Sequence, residues 1–373
     1  MTTPTDDSTP ARPPLVSDPE LVTPEWLTTV LRHADAIDDD AHVSSLESST
    51  IGTGQVGANI RYRLAYGGSG APGPDTVVAK FASADETSRA AGVATLTYET
   101  EVAFFRDLAH TVDISRPQCY FADIRSGTAD VALVMEDLAP AEQGDQIAGC
   151  TVAEAALAVD EAARLHGPRW GDASLSELRW LDRSESAGGM MAMFEAMWAG
   201  FADRYRSTLE PVTLDIGPHL PEFLTQLRAV TSTPHTPVHG DFRLDNMLFG
   251  SSGHGRPLAV VDWQTVQLGV GPTDVAYFLG SAFEPDVRRA CERDLVTNYH
   301  RLLVEAYGVA DYPFEQCWRD YVRASYSCLT MAVFASMIVG RTDRGDEMFM
   351  AMANRSAQMG ADLDAPSAIR DVG

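Results

Sequence analysis

His239-Gly240-Asp241-Phe242-Arg243-Leu244-Asp245-Asn246 follows the short run Pro237-Val238, and its reading decides that of the rest of the chain. An Asp and an Asn five residues apart, just behind a short strand, fit the catalytic loop of phosphoryl transfer. In such a loop the Asp accepts or orients the proton of an attacking hydroxyl, and the Asn amide oxygen binds magnesium. Transfer to a hydroxyl needs positioning and charge neutralisation more than covalent help, which suits a short, densely polar loop. Taken alone, an Asp/Asn turn competes with this reading. His239 by itself would suit a general base or a metal ligand, but bracing the loop by hydrogen bonds is the favoured role.

Downstream, Val260-Val261-Asp262-Trp263 is an apolar strand ending in Asp, 21 residues after Asp241. That Asp supplies a second oxygen ligand for magnesium, which prefers hard donors and keeps several waters. Upstream lies Lys80, the sole lysine among 28 Lys and Arg residues, in the run Val77-Val78-Ala79-Lys80-Phe81. A compact ammonium fits among phosphate oxygens where a planar guanidinium does not. The segment 93–109 reads as a helix with Tyr98, Val102, Phe105 and Ala109 on one face. Glu101 borders that face and is the expected partner of Lys80, whereas Glu99 is expected to face solvent.

Gly52-Thr53-Gly54-Gln55-Val56-Gly57 is a literal G-x-G-x-x-G. A dinucleotide site would need a helix immediately afterwards and an acidic residue about 20 positions on. Here the glycines lead into Ile60, Tyr62 and Leu64, alternating with Arg61 and Arg63 at period two. A hairpin loop over nucleotide phosphates fits better, Gly52, Gly54 and Gly57 letting backbone N–H groups approach closely. A plain hairpin turn competes. No Gly-Lys-Ser/Thr is present, which excludes a Walker loop.

The Gly/Pro-rich stretch 67–74 joins two strand-like runs into an antiparallel hairpin, and Phe121 and Val131 to Met135 suggest two further strands. Pro24-Glu25-Trp26-Leu27 opens a short first helix. After residue 150 the pattern is mostly helical, with runs at 151–166, 188–207, 219–230, 286–308, 314–339 and 344–360. The expected fold class is α+β: a strand-rich part over 21–138 and a larger helical part over 139–373, preceded by a disordered tail over 1–20.

Composition narrows the function classes. At 373 residues and 45% apolar content the chain is an ordinary globular one, with no stretch long enough to span a bilayer. A net charge of -25 argues against nucleic acid and would attract a cationic small substrate, though acidity spread over a surface more often serves solubility. The five scattered cysteines show no metal-ligand spacing and suit a reducing cytoplasm.

The set Gly-rich loop, Val-Ala-Lys, Glu-Val-x-Phe-Phe, Leu-Val-Met-Glu-Asp-Leu, His-Gly-Asp-x-x-x-Asp-Asn and Val-Asp-Trp-Gln resembles the aminoglycoside phosphotransferase and choline kinase superfamily. His239 to Phe249 and Asp262 to Leu279 are most similar to its ecdysteroid kinase-like and acyl-CoA-dehydrogenase-associated kinase branches. The resemblance covers about residues 45–340. It implies a protein-kinase-like bilobal fold and transfer of a phosphoryl group from ATP, with Mg2+, to a hydroxyl of a small molecule. By the resemblance Asp241 would be the catalytic base, and Asn246 and Asp262 the magnesium ligands. Lys80 and Glu101 would hold phosphates, and the backbone of Glu136 and Leu138 would bind adenine. Asp274 would support the catalytic loop and His166 would be structural.

Trp263-Gln264 stands where protein kinases carry Phe-Gly, and no Ala-Pro-Glu follows, so a small-molecule kinase is expected rather than a switched protein kinase. The catalytic loop also departs from the Gly-Asp-Leu-x-x-x-Asn of typical aminoglycoside enzymes. The acceptor classes that fit are aminoglycoside-like amines and hydroxylated lipid, acyl or steroid-like metabolites. A nucleotide-binding pseudokinase without turnover is the rival reading.

Overall fold

The computed structural model describes residues 12–52, 57–228, 233–250 and 255–371. The chain forms two compact units. One comprises residues up to Arg106 together with Pro117–Asp137; the other comprises Asp107–Arg116 and Leu138 onward. The segment 107–116, placed by sequence in the first part, groups with the second.

The first unit is a five-stranded antiparallel sheet with helices beside it. In chain order its elements are α1 (Pro24–His33), β1 (Ala41–Ile51), β2 (Gly57–Gly68), β3 (Thr76–Ala82), α2 (Glu86–Ala94), α3 (Thr97–Ala103), β4 (Cys119–Ile124) and β5 (Val131–Glu136). The sheet order is β1-β2-β3-β5-β4. Thr23 caps α1 by accepting from the Trp26 N–H at 3.2 Å, with Pro24 in the first turn, where a missing N–H costs nothing. Trp26, Leu27, Val30 and Leu31 of α1 pack with Tyr62, Val77, Ala79 and Phe81 of the sheet to form the core of this unit.

The disordered tail expected over residues 1–20 is corrected from residue 12 onward. Leu15 and Val16 lean on that core, the Trp26 indole donates to the Pro14 carbonyl at 2.8 Å, and Pro19–Leu21 forms a 3-10 turn. Two apolar side chains and one buried indole donor suffice to hold a Pro-rich segment that composition alone reads as disordered.

The second unit is mostly helical. It contains β6 (Glu142–Gln143), α4 (Val152–His166), α5 (Ser184–Tyr205), α6 (Pro211–Ile216), α7 (Leu220–Arg228), β7 (Thr236–Val238), β8 (Met247–Phe249), β9 (Leu258–Val260) and β10 (Gln267–Gly269). These are followed by α8 (Pro272–Ala282), α9 (Pro285–Tyr307), α10 (Phe314–Arg323), α11 (Ser327–Ile338), α12 (Asp343–Asp362) and α13 (Ala365–Arg370). A capping box starts α4: Thr151 Oγ1 accepts from the Glu154 N–H, and Glu154 Oε2 accepts from the Thr151 N–H. The run read as one helix over 314–339 is two, α10 and α11, separated by a turn at 324–326.

The helix α8 has no counterpart in the sequence reading. Every residue in it except Thr273 is buried, and α4, α9, α10, α11 and α12 pack around it. A helix buried on all sides turns no polar face to solvent, so it shows no clear 3.6-residue alternation to detect. The two small sheets, β7 with β10 and β6-β8-β9, lie in this unit and carry the polar loops.

Candidate active site

In the first unit, β3 pairs with β2 so that Asn59 faces Lys80 and Gly57 faces Ala82. Lys80 Nζ lies 2.9 Å from Glu101 Oε1 and 2.7 Å from Oε2, so the ammonium straddles both carboxylate oxygens. Both groups are deep, with 9% of Lys80 and 2% of Glu101 exposed. An ion pair at this depth is held by mutual attraction against desolvation. Glu99 instead accepts from the Ser126 hydroxyl and the Gly127 N–H, on the turn between β4 and β5. The helix is shorter than the run read over 93–109: Leu96, at φ 57°, separates α2 from α3, and a π-helical turn follows at Phe104–Leu108.

Of the three loop glycines, Gly52 follows β1 at φ 71° and Gly57 begins β2, while Gly54 lies outside the described residues. A Cβ on Gly57 would sit 3.2 Å from Lys80 Cε and from the Phe81 carbonyl oxygen, so this glycine gives the lysine stem its room. At the end of β5 the Glu136 N–H donates to the Gln118 carbonyl at 2.8 Å, and Asp137 is clamped bidentately by Arg61 at 2.6 and 2.9 Å. Leu138 is buried, and its carbonyl accepts from the Ala141 N–H at 2.9 Å.

In the second unit, β7 leads into the loop His239–Asn246. Gly240 takes φ 81°, with its Cα facing the Thr265 carbonyl so closely that a Cβ would fall 2.6 Å from that oxygen; only glycine fits. Asp274, buried in the first turn of α8, accepts from the His239 N–H at 2.6 Å and the Gly240 N–H at 3.0 Å. His166 Nε2 lies 3.1 Å from the same carboxylate, and His166 Nδ1 lies 2.8 Å from the Tyr299 hydroxyl. Asp274 therefore holds the loop by its backbone, and His166 orients Asp274. His239 Nδ1 accepts from the Asp241 N–H at 3.2 Å and its Nε2 meets the Val261 carbonyl at 3.1 Å, a pattern that fits the Nε2–H tautomer and ties the loop to the β9 end.

Asp241 is enclosed by donors. Arg243 Nε lies 3.0 Å from each of its oxygens, the Tyr277 hydroxyl donates to Oδ1 at 2.7 Å, and Asn246 Nδ2 donates to Oδ2 at 2.9 Å. Burial pushes the Asp241 carboxyl up, but Arg243, Tyr277 and His239 outweigh it and hold it below the usual carboxylate range. Burial and the Asp241 charge together push Tyr277 well above the ordinary phenol value, so its hydroxyl remains a donor. Arg243 also donates to Asp245 Oδ2 at 2.8 Å, and Asp245 accepts from Arg344 at 3.0 and 3.1 Å. Burial raises Asp245, yet Arg344, Arg243 and the Gln146 N–H bring it net below its ordinary value.

Asn246 Nδ2 is committed twice, to the Asp241 carbonyl at 2.8 Å and to its carboxylate. That orientation turns the amide oxygen away from Asp241. Met247 pairs with Val260, and the Val261 N–H donates to the Asn246 carbonyl at 2.9 Å, so Asp262 follows one residue past the partner of Asn246. Asp262 adopts φ 69°, a left-handed backbone that Asp tolerates better than most residues. Amide and carboxylate oxygens are the hard donors that suit magnesium. Among the described residues no group of three His, Cys, Asp or Glu is arranged to hold a metal.

The structure thus pairs Lys80 with Glu101 in one unit and brings Asp241, Asn246 and the β9 end together in the other. Sequence reasoning missed Tyr277, Gln146 and Arg344, and gave no role to Arg243 or Asp245. Tyr277 lies three residues after Asp274, on the same face of α8, a signal usable only once α8 is known to be a helix. Arg344 reaches Asp245 across 99 positions and leaves no local trace.

Residues 183–312 match the model of the ecdysteroid kinase-like family, one of the two branches that the motifs resemble. The matched stretch contains the His239–Asn246 loop, Asp262 and all of α8. Similar solved structures include the GDP complex of wild-type aminoglycoside 2'-phosphotransferase-IIIa, at 12% identity over 89% of this chain and 97% of that chain, with a TM-score of 0.48. They also include a microcompartment-associated aminopropanol kinase (12% identity, 92% and 99%, TM-score 0.46) and the ethanolamine kinase of Plasmodium vivax (10% identity, 88% and 83%, TM-score 0.45). Among curated proteins, none matches the sequence.

Proposed function

We propose that this chain is an ATP- and magnesium-dependent phosphotransferase acting on a hydroxyl of a small molecule. The observation that carries this reading is the Asp241–Asn246 arrangement, in which the Asn amide hydrogens hold the Asp and the amide oxygen remains for a cation near Asp262, two residues past the end of β9. Asp241 receives the acceptor hydroxyl as a hydrogen-bond donor. The acceptor oxygen forms the new P–O bond, the β–γ bridging bond breaks to release the nucleoside diphosphate, and the hydroxyl proton passes to Asp241. A carboxylate held below its usual range is a weak base, suited to orienting the hydroxyl and taking its proton late, as a loose transition state requires.

Asn246 and Asp262 would hold magnesium, which when bound neutralises charge on the phosphate oxygens. Lys80, steadied by Glu101, would contact the nucleotide phosphates under the loop of Gly52, Gly54 and Gly57, and the chain at Glu136 and Leu138 would receive adenine. The net charge of -25 supports a cationic, aminoglycoside-like acceptor, whereas the ecdysteroid kinase-like match supports a hydroxylated, steroid-like metabolite. Incubation with magnesium-ATP and an acceptor library, read by mass spectrometry, should give one acceptor a phosphate mass gain that Asp241→Ala abolishes. If magnesium-ATP leaves the melting temperature unchanged, the nucleotide site is refuted, because ligand binding to the folded chain must raise it.

A further inference from the structure

We infer that Tyr277 is a positioning residue for Asp241, and that α8 acts as a template holding the catalytic loop at two levels; this rests on the phosphotransferase reading above. Asp274, in the first turn of α8, takes the backbone N–H groups of His239 and Gly240. Tyr277, one turn later on the same face, takes the side chain of the next loop residue through its 2.7 Å bond to Asp241 Oδ1. A register of three residues on one helix thus sets both where the loop backbone lies and how the Asp241 carboxylate is turned.

The carboxylate has two oxygens to fix. Asn246 Nδ2 fixes Oδ2 and Tyr277 fixes Oδ1, while Arg243 Nε is shared equally between them at 3.0 Å and so cannot choose a rotation by itself. Arg243 also has Asp245 as a second partner. The Tyr277 hydroxyl is carried by a buried ring on a helix packed on several sides, so it cannot follow Asp241 if that side chain turns. Tyr277 is the rigid stop; Arg243 supplies charge. A carboxylate that must meet an acceptor hydroxyl in line with a phosphoryl group loses rate for small errors of aim.

The test compares wild type, Tyr277→Phe and Asp241→Ala, using magnesium-ATP with water as the acceptor together with crystal structures of wild type and Tyr277→Phe. The expected result for Tyr277→Phe is a kcat lowered by up to about a hundredfold with an unchanged KM for ATP, and an Asp241 carboxylate turned from its wild-type rotamer. An unchanged rotamer overturns the proposal, as does a parallel worsening of kcat and KM, which would mean a general distortion. If Asp241→Ala retains wild-type hydrolysis, the role of Asp241 as proton acceptor, on which the proposal rests, falls; if Asp241→Ala loses it and Tyr277→Phe keeps it, only the positioning role falls. Should the wild type not use water as acceptor, the rotamer alone decides.

Discussion

Lys80 with Glu101 and Asp241 with its donors are both charged clusters in tightly packed surroundings, but they are built differently. The first joins neighbouring elements of one sheet unit, and both partners are deep inside it. The second is a chain of alternating charge, Asp241 to Arg243 to Asp245 to Arg344, whose last side chain is 51% exposed. A deep pair is little screened by water, whereas a chain that reaches solvent has an outer member that is screened. The difference teaches which positions the fold depends on and which the chemistry depends on.

The largest effect expected from breaking this contrast is at the inner end of the chain. Asp241→Ala should lower phosphoryl transfer by about a thousandfold, the middle of the range for a proton-accepting group. Steady-state kinetics on an acceptor found by the mass screen measures it; a loss under tenfold would break the assignment. Next comes the deep pair: Glu101→Ala takes a buried carboxylate away from the Lys80 ammonium and should cost about 3–5 kcal/mol of stability, read by denaturant or thermal unfolding. A cost below about 1 kcal/mol would show that the pair is solvated like a surface bridge.

Lys80→Arg sharpens the comparison, because it keeps the charge and changes the shape. The planar guanidinium must fit where Gly57 leaves room for a slender stem, so kcat should fall by roughly tenfold to a hundredfold. Near-normal turnover would show that any cation serves. The smallest effect belongs to the outer end of the chain: Arg344→Ala should change stability by less than about 1 kcal/mol and leave turnover within a factor of about three. A larger loss would mean that the network behaves as a sealed unit after all.

How far each cluster was legible follows from how it is assembled. The alternation of Ile60, Tyr62 and Leu64 marked β2, and the apolar face of the segment around Tyr98 and Val102 put Glu101 inward; both signals lie within a few residues. The loop from His239 to Asn246 was equally visible, because its chemistry requires fixed spacing. The groups that brace it were not. α8 is buried on every side and so lacks the periodicity that reveals a helix, which hid Tyr277. The tail from residue 12 looked disordered by composition, yet Leu15 and Val16 pack on a core assembled from later residues.

The sequence by itself determined the α+β class, the sole lysine and its glutamate, and the Asp–Asn loop with its strand-end Asp, because local periodicity and short-range spacing are written into consecutive residues. Tertiary structure alone decided how Asp241 is aimed and charged. Its partners come from the loop itself and from α8, and Asp245 is shared with an arginine 99 positions away. A carboxylate's orientation and protonation depend on which donors surround it in space, and no local pattern encodes those neighbours.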